Sequence, residues 1–126
     1  MTSQGRSTRP LAGHLARPDG WAERTNPCGD LIRIEVRLVN GIVTEASCTV
    51  HGCATALACA NAAAALARGM SVADAIRTVT TESIIEVLGG LPPDHEDLAA
   101  MAARTLHGAV EDAILCSRES WKKLYR

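Results

Sequence analysis

The residues with the clearest chemical potential lie in one short sequence, Asn26-Pro27-Cys28-Gly29-Asp30. Proline and glycine favour a tight, exposed turn, and this turn presents a thiol and a carboxylate two residues apart. Both groups bind metal ions, and a thiolate is a strong ligand for zinc or iron. Taken alone, the segment also fits a plain turn with a buried cysteine and a solvated aspartate, because a single cysteine is usually structural.

A second segment of this kind is His51-Gly52-Cys53-Ala54, which stands where a strand pattern changes into a helix pattern. A thiol at a helix N-terminus is expected to have a lowered pKa, because the helix dipole and the free N–H groups favour the thiolate. An ordinary helix start with a small residue explains the segment about equally well. We interpret His51 as a surface or capping residue rather than a ligand.

A third segment, Leu91-Pro-Pro-Asp-His-Glu-Asp-Leu98, predicts another helix N-terminus. It carries His95, Glu96 and Asp97, and its acids also fit a solvated first turn that complements the helix dipole. Of the other cysteines, the patterns place Cys48 on the inner face of a strand and Cys59 in helix packing. Cys116, near the end of the chain, has no assigned role.

The elements that must position these residues follow from hydrophobic periodicity. Apolar and polar residues alternate from Leu31 to Leu38, which predicts a half-buried strand. Asn40-Gly41 is a strong hairpin signal, and the return strand is expected to turn Ile42, Ala46, Cys48 and Val50 toward the core. The stretch between Gly13 and Asn26 shows no clear period. The sheet is therefore expected to be antiparallel, with helices covering one face.

Four helices are predicted after the hairpin. The first runs from Cys53 to Ala67 and ends before Gly69. Ser71 begins a short helix that reaches Val79, and a second short helix is expected over residues 81–88, before Gly89-Gly90. The last helix follows Pro92-Pro93. Its buried stripe has the three-four spacing of an amphipathic helix and comprises Leu98, Met101, Ala102, Thr105, Leu106, Ala109, Ala113 and Ile114.

Length, charge and cysteine content set the broad class. The chain has 126 residues, enough for one domain over residues 13–126 with an N-terminal tail, disordered or extended, over residues 1–12. A net charge of −1 favours neither nucleic acid nor an anionic membrane as a partner, and the apolar run over residues 54–66 is too short to cross a bilayer. Five cysteines without a secretory signal indicate a reducing compartment, so we expect a cytoplasmic protein.

In combination, these segments resemble the U-type iron–sulfur cluster scaffold family, which includes IscU, SufU and the N-terminal domain of NifU. The resemblance rests on Asn26-Pro-Cys-Gly-Asp30, His51-Gly-Cys-Ala54, Gly69-Met-Ser71 and Leu91-Pro-Pro93 in this order, and His14-Leu-Ala-Arg-Pro18 is similar to the family's lead-in. It implies an α+β fold, with a three-stranded antiparallel sheet and helices packed on one face. It also implies that Cys28, Asp30 and Cys53 hold a transient [2Fe–2S] cluster or Zn²⁺.

The sequence departs from the family at one ligand. Family members carry a third cysteine after the double proline, often preceded by histidine, and the register places these two residues at Leu98 and Asp97. Leucine cannot ligate a metal. The resemblance then leaves the fourth ligand to Asp97, His95, Glu96, a partner or solvent.

Three functions follow from the resemblance. The first is a scaffold or carrier, not an enzyme, that works with a cysteine desulfurase and with recipient apo iron–sulfur proteins. The second is a zinc-dependent sulfur-transfer partner of a cysteine desulfurase, with Cys28 as the persulfide acceptor. The third is a metal-free pseudo-scaffold that acts as a binding module.

Overall fold

The sheet has three antiparallel strands in the order β1-β2-β3. The computed structural model describes residues 19–118, with side chains up to residue 115, so the predicted tail over residues 1–12 and the lead-in over 14–18 lie outside the described residues. The strands are β1 (Gly20–Thr25), β2 (Leu31–Val39) and β3 (Ile42–His51). Ile32, Ile34 and Val36 of β2 are fully buried, as the alternation predicts, and Glu35 on the opposite face is buried as well.

Strand β1 lies in the stretch that shows no period in the sequence. Its helix-facing positions include Gly20 and Ala22, and Ala22 pairs with Ile34 of β2. Small residues on the inner face produce no hydrophobic alternation, which explains why the residue pattern did not predict this strand. It is the third strand that the family resemblance implied.

The β2–β3 hairpin turns through Asn40 and Gly41, whose φ angles are 54° and 78°. Two consecutive positive φ angles are the geometry that Asn-Gly supplies in a two-residue hairpin. The register then shifts between Arg37 and Leu38, because Leu38 pairs with Val43 and Arg37 pairs with Glu45. A bulge of this kind adds one residue to a strand and exchanges the two faces on either side of it.

The bulge corrects one prediction about the return strand. Val43 is fully buried, whereas Ile42 is 36% exposed, so the prediction that Ile42 faces the core is wrong. Beyond the bulge Ala46 and Cys48 lie in the core as predicted, and Ser47 on the opposite face is buried as well.

The helices follow the predicted order. They are α1 (Ala54–Ala67), α2 (Val72–Thr78), α3 (Thr81–Val87) and α4 (Glu96–Arg118), with a short 3-10 turn (Pro93–His95) before α4. The Ser71 hydroxyl accepts a hydrogen bond from the Asp74 N–H and begins α2, and Thr80 and Ser83 form a capping box at α3. None of the described helices is long and apolar enough to cross a membrane.

Helices α1 and α4 build the core against one face of the sheet, so the predicted α+β fold is confirmed. Alanine supplies much of this core, and small side chains let backbones approach closely. The closest approach is at Gly20, where an added Cβ would lie 2.4 Å from the Ala109 carbonyl oxygen and 2.4 Å from the Ala113 nitrogen. Both of these are backbone atoms of α4, which cannot move aside cheaply.

We therefore expect Gly20→Ala to lower the free energy of unfolding by about 1–3 kcal/mol, the usual cost of overpacking a core. Urea unfolding followed by circular dichroism measures this loss. Ala65→Ser, at an exposed position of α1, is the control and should change stability by less than about 0.5 kcal/mol. A neutral or stabilising Gly20→Ala would show that α4 does not seat on β1 in this way.

Candidate functional site

The segment from Asn26 to Asp30 forms a closed turn between β1 and β2. The Asn26 N–H donates to the Asp30 carbonyl oxygen over 3.1 Å, and the Gly29 N–H donates to the Asn26 carbonyl oxygen over 3.0 Å. The Asn26 side-chain oxygen accepts from the Asp30 N–H at 2.8 Å, and Gly29 has a φ of 91°, which glycine adopts without strain. These bonds leave Pro27 and Cys28 exposed at the tip of the turn.

The Asp30 carboxylate joins this turn to the start of α1. Its Oδ1 accepts a hydrogen bond from the Cys53 N–H at 3.1 Å, and its Oδ2 accepts one from the Asn26 side-chain amide at 3.0 Å. The pairing of Leu31 with His51 brings Asp30 beside Gly52 at the same end of the hairpin. A Cβ on Gly52 would lie only 2.2 Å from Asp30 Oδ1, so a glycine is needed for this contact.

Cys53 occupies the N-cap of α1, and its side chain makes no capping hydrogen bond. The thiol is exposed and stands at the positive end of the helix dipole. Cys28 is exposed as well. The hydrogen bond between Asp30 and the Cys53 N–H places the turn that carries Cys28 beside the start of α1, and both thiols are exposed.

The other two described cysteines are packed in the core, as predicted. Burial raises the pKa of Cys59 to about 11, and the nearby charges of Cys53 and Asp97 add to this rise. Burial also raises the pKa of Cys48 to about 11, and its thiol donates to the Asn61 side-chain oxygen over 3.2 Å. Both thiols are buried within the protein, so neither is accessible to an ion that arrives from solvent.

The third segment supplies one exposed carboxylate near the site. Asp97, in the first turn of α4, is exposed and lines a cleft together with Asn26 and Pro27. The neighbouring Leu98 is only 4% exposed and belongs to the hydrophobic core. His95 and Glu96 lie at the junction of the 3-10 turn and α4, and neither forms a hydrogen bond or ion pair with Cys28 or Cys53 in the described part of the chain.

Over residues 19–115, no group of three or more His, Cys, Asp or Glu side chains stands ready to hold a metal ion. Both oxygens of Asp30 accept hydrogen bonds, from the Asn26 amide and the Cys53 N–H. The donor set of two thiols and carboxylates suits zinc or iron. Each Asp30 oxygen accepts one of these hydrogen bonds and keeps a further lone pair that can bind an ion.

Sequence reasoning missed the cleft beside the turn, which has a volume of about 450 Å³. Its lining is Glu23, Arg24, Thr25, Asn26, Pro27, Asp97, Ala100, Met101 and Arg104. A search centred on cysteines overlooks the two arginines. The helical spacing of Asp97, Met101 and Arg104 on α4 was a signal that could have drawn attention to this face.

Solved structures share the fold. The NifU-like N-terminal protein from Brucella abortus has a TM-score of 0.65 at 16% identity, and the match covers 85% of this chain and 87% of that one. The putative iron–sulfur cluster assembly scaffold protein for the SUF system from Fervidobacterium islandicum AW-1 has a TM-score of 0.66 at 17% identity, with 79% and 86% covered. At these identities the likeness concerns the fold alone.

Sequence relatives extend the comparison to the family. The scaffold protein IscU 1 of Archaeoglobus fulgidus is 31% identical over 101 residues, covering 79% of this chain and 65% of the relative. The bifunctional protein NifU/MnmA of Rubrobacter xylanophilus is 38% identical over 104 residues, covering 80% of this chain and 21% of the relative. The chain thus spans somewhat less than two thirds of the archaeal protein and about a fifth of the bacterial one.

The family model of the NifU-like N-terminal domain matches residues 12–114. This range contains all three sequence segments that carry the candidate site, and the chain belongs to the NifU-like N-terminal domain family.

Proposed function

We propose that this protein is an iron–sulfur cluster assembly scaffold or carrier. It binds a [2Fe–2S] cluster or Zn²⁺ through Cys28, Asp30 and Cys53, with Asp97 as the fourth ligand. The observation that carries the proposal is the 3.1 Å hydrogen bond between the Asp30 carboxylate and the Cys53 N–H. This bond fixes the turn that bears one exposed thiol against the helix start that bears the other.

The relatives support the same role, since the archaeal one is named an iron–sulfur cluster assembly scaffold protein and others are named nitrogen fixation protein NifU. The cluster is cargo, so the protein positions it rather than turning over a substrate. Its partners are then a cysteine desulfurase that supplies sulfur and apo iron–sulfur proteins that receive the cluster. A cytoplasmic location fits thiols that must stay reduced.

The ligand chemistry supports transfer rather than permanent binding. In the metal-free protein the two Asp30 oxygens accept hydrogen bonds from the Cys53 N–H and the Asn26 amide. The carboxylate therefore keeps hydrogen-bond partners after the metal has left. A carboxylate among thiolates is also a weaker ligand for iron than a third thiolate. Both effects lower the cost of handing the cluster over.

A second candidate function, zinc-dependent sulfur transfer, draws support from the exposure of Cys28 at the tip of its turn. Its thiolate would attack the outer sulfur of a desulfurase persulfide, which gives a Cys28 persulfide and releases the desulfurase thiolate. Cys53 and Asp30 would then keep the zinc that orients the turn.

The ligand assignment predicts which thiols matter. Titration with Co²⁺, followed by thiolate-to-metal charge-transfer absorption, should show about one site per chain in the wild-type protein. Cys28→Ala and Cys53→Ala should each abolish the signal. Cys59→Ala is the matched control, because it removes a buried thiol and should cost roughly 1 kcal/mol of packing without emptying the site.

Metal analysis after aerobic and anaerobic purification distinguishes the scaffold, the sulfur-transfer protein and the metal-free binding module. A scaffold should be colourless with zinc in air and coloured after anaerobic reconstitution with iron and sulfide. Zinc that iron cannot replace, together with persulfide on Cys28, would favour sulfur transfer. A Co²⁺ signal that survives Cys28→Ala but not Cys59→Ala would refute the assignment of the ligands. If the protein binds no metal under any of these conditions, the metal-free binding module is the function that remains.

Asp30 should also matter to the metal-free protein. Asp30→Ala removes the acceptor for the Cys53 N–H and for the Asn26 amide, so we expect a loss of about 1–2 kcal/mol in the free energy of unfolding. Gly52→Ala should show a comparable loss, because its Cβ would displace the carboxylate. Urea unfolding measures both, and Asp94→Ala, an exposed acid before α4, should stay within about 0.5 kcal/mol of wild type.

The missing third thiolate gives a gain-of-function test. Leu98→Cys should tighten zinc binding tenfold or more, about 1.4 kcal/mol, and should lengthen the lifetime of a reconstituted [2Fe–2S] cluster, with Asp97→His adding to the effect. Because Leu98 is buried, Leu98→Cys should also lower the melting temperature, and Leu98→Ala serves as the control for this packing loss. If the two variants lose stability alike and neither binds zinc more tightly than the wild-type protein, a side chain at the buried position 98 does not reach the metal site.

A further inference from the structure

Strand β1 lies at an edge of the sheet, because the strand order is β1-β2-β3. In an antiparallel pair, residues that bond across the pair alternate with residues whose N–H and C=O groups point away from it. The Asn26 N–H donates to the Asp30 carbonyl oxygen just beyond the end of β1, so Arg24 is the next residue that bonds to β2. Glu23 and Thr25 therefore turn their N–H and C=O groups to the open edge.

A contact at the other end of β1 supports this alternation. Trp21 has the same parity as Glu23 and Thr25, and its N–H donates to an Asp112 carboxylate oxygen of α4 at 3.1 Å. In the described part of the chain, no hydrogen bond outside the sheet involves Glu23 or Thr25. Both residues are exposed. Their edge-facing N–H and C=O groups thus stand without a protein partner.

This open edge borders the cleft between β1 and the start of α4, which we call the edge cleft. Its charged side chains balance, since Glu23 and Asp97 face the same cleft as Arg24 and Arg104. Net charge therefore does not select an occupant. Unpaired N–H and C=O groups along a strand edge do select one, because they pair with the backbone of another extended segment.

The length of the open edge limits what can pair with it. Asp112 occupies the edge at Trp21, and the chain leaves the strand at Asn26. The open stretch over residues 23–25 spans about 7 Å, two steps of about 3.3 Å. A stretch of this length pairs with roughly three or four residues, which is far less than the interface of about 1,000 Å² that a stable dimer needs. It fits a short linear segment better than a second copy of this chain.

We propose that the edge cleft binds a short extended segment of a protein partner, which adds as a fourth strand beside β1. The main chain of this segment pairs with Glu23 and Thr25, so the segment has no proline at the paired positions. Side chains alternate along a strand, and those on the helix side meet Ala100 and Met101 of α4. The segment therefore carries small or apolar residues at these alternate positions.

The inference goes beyond the proposed function and uses it in one respect. Asn26 and Pro27 line the same cleft, and Pro27 precedes Cys28 in the turn. A segment held along the edge cleft thus anchors its protein beside the turn that carries a proposed ligand of the cargo.

Binding can be measured with a fluorescein-labelled hexapeptide of alternating Thr and Val, methylated on every second backbone nitrogen so that one edge can still pair. Fluorescence anisotropy on the full chain should show saturable binding below about 1 mM. The same peptide methylated on every backbone nitrogen keeps its side chains and loses its donors, so it should not bind.

Two variants test the site with matched controls. Thr25→Pro removes an edge-facing N–H at a position where an edge strand accepts proline, and it should weaken binding about tenfold. Thr25→Ala keeps the N–H and should stay within about twofold of wild type. Ala100→Trp fills the cleft without touching the strand and should abolish binding, whereas Ala65→Trp, at an exposed position of α1, should not. Circular dichroism verifies folding.

Amide hydrogen exchange reports on the edge directly. The Glu23 and Thr25 amides should exchange rapidly in the free protein and slowly with the half-methylated peptide. Slow exchange in the free protein would overturn the inference, because it would show that the chain itself or a second copy already covers the edge. Absent binding of the half-methylated peptide, equal binding of the fully methylated one, or a Thr25→Ala loss as large as that of Thr25→Pro would overturn it as well.

The Co²⁺ titration of Ala100→Trp keeps this inference separate from the proposed function. Unchanged Co²⁺ binding with lost peptide binding supports a docking site distinct from the ligands. If the wild-type protein binds the half-methylated peptide but no metal, the edge-cleft inference stands and the proposed function fails.

Discussion

The close approach of α4 to the sheet is the constraint on which the rest of the molecule depends. At Gly20 there is no room for a single methyl group between β1 and the backbone of α4. The Trp21 N–H donates to an Asp112 carboxylate oxygen at 3.1 Å, which ties the helix to the same strand. Because β1 leads directly into the Asn26–Asp30 turn, this contact fixes where α4 stands relative to that turn.

The same constraint explains the composition. The chain has no phenylalanine, and its core relies on alanine together with a few branched residues such as Ile34 and Leu106. Each alanine buries little area, so the stabilisation from burial must come from many short-range contacts between backbones rather than from a few large side chains. Such a core tolerates added volume poorly, which makes the relative positions of β1, α1 and α4 well defined.

Much of the fold could be predicted because its signals are local. The alternation in β2, the Asn40-Gly41 turn and the Ser71 cap each act through neighbouring residues, and each appears where the sequence indicated. The bulge near Val43 could not be predicted, because Ile42 and Val43 are equally apolar and only the pairing with β2 decides which one is buried. Strand β1 could not be predicted either, because its inner positions include the small residues Gly20 and Ala22 and show no hydrophobic alternation.

The candidate site also has a part that the sequence predicts and a part that it does not. Cys28, Asp30 and Cys53 were identified from short segments with recognisable residue types, but the hydrogen bonds of Asp30 depend on strand register and on the absence of a side chain at Gly52. The cleft that Arg24 and Arg104 both line depends on how β1 packs against α4. No spacing along the chain encodes that packing.

The two hydrogen bonds that the Asp30 carboxylate accepts have a further consequence for how the protein folds. Small metal domains whose ligands have no other partners stay unfolded until the ion arrives, because binding energy and folding energy are the same quantity. Here the carboxylate is satisfied by the Cys53 N–H and the Asn26 amide without any ion, and the core lies apart from the exposed thiols. The fold therefore does not depend on an ion at Asp30, so under the proposed function one folded chain is filled and emptied repeatedly without renaturing each time.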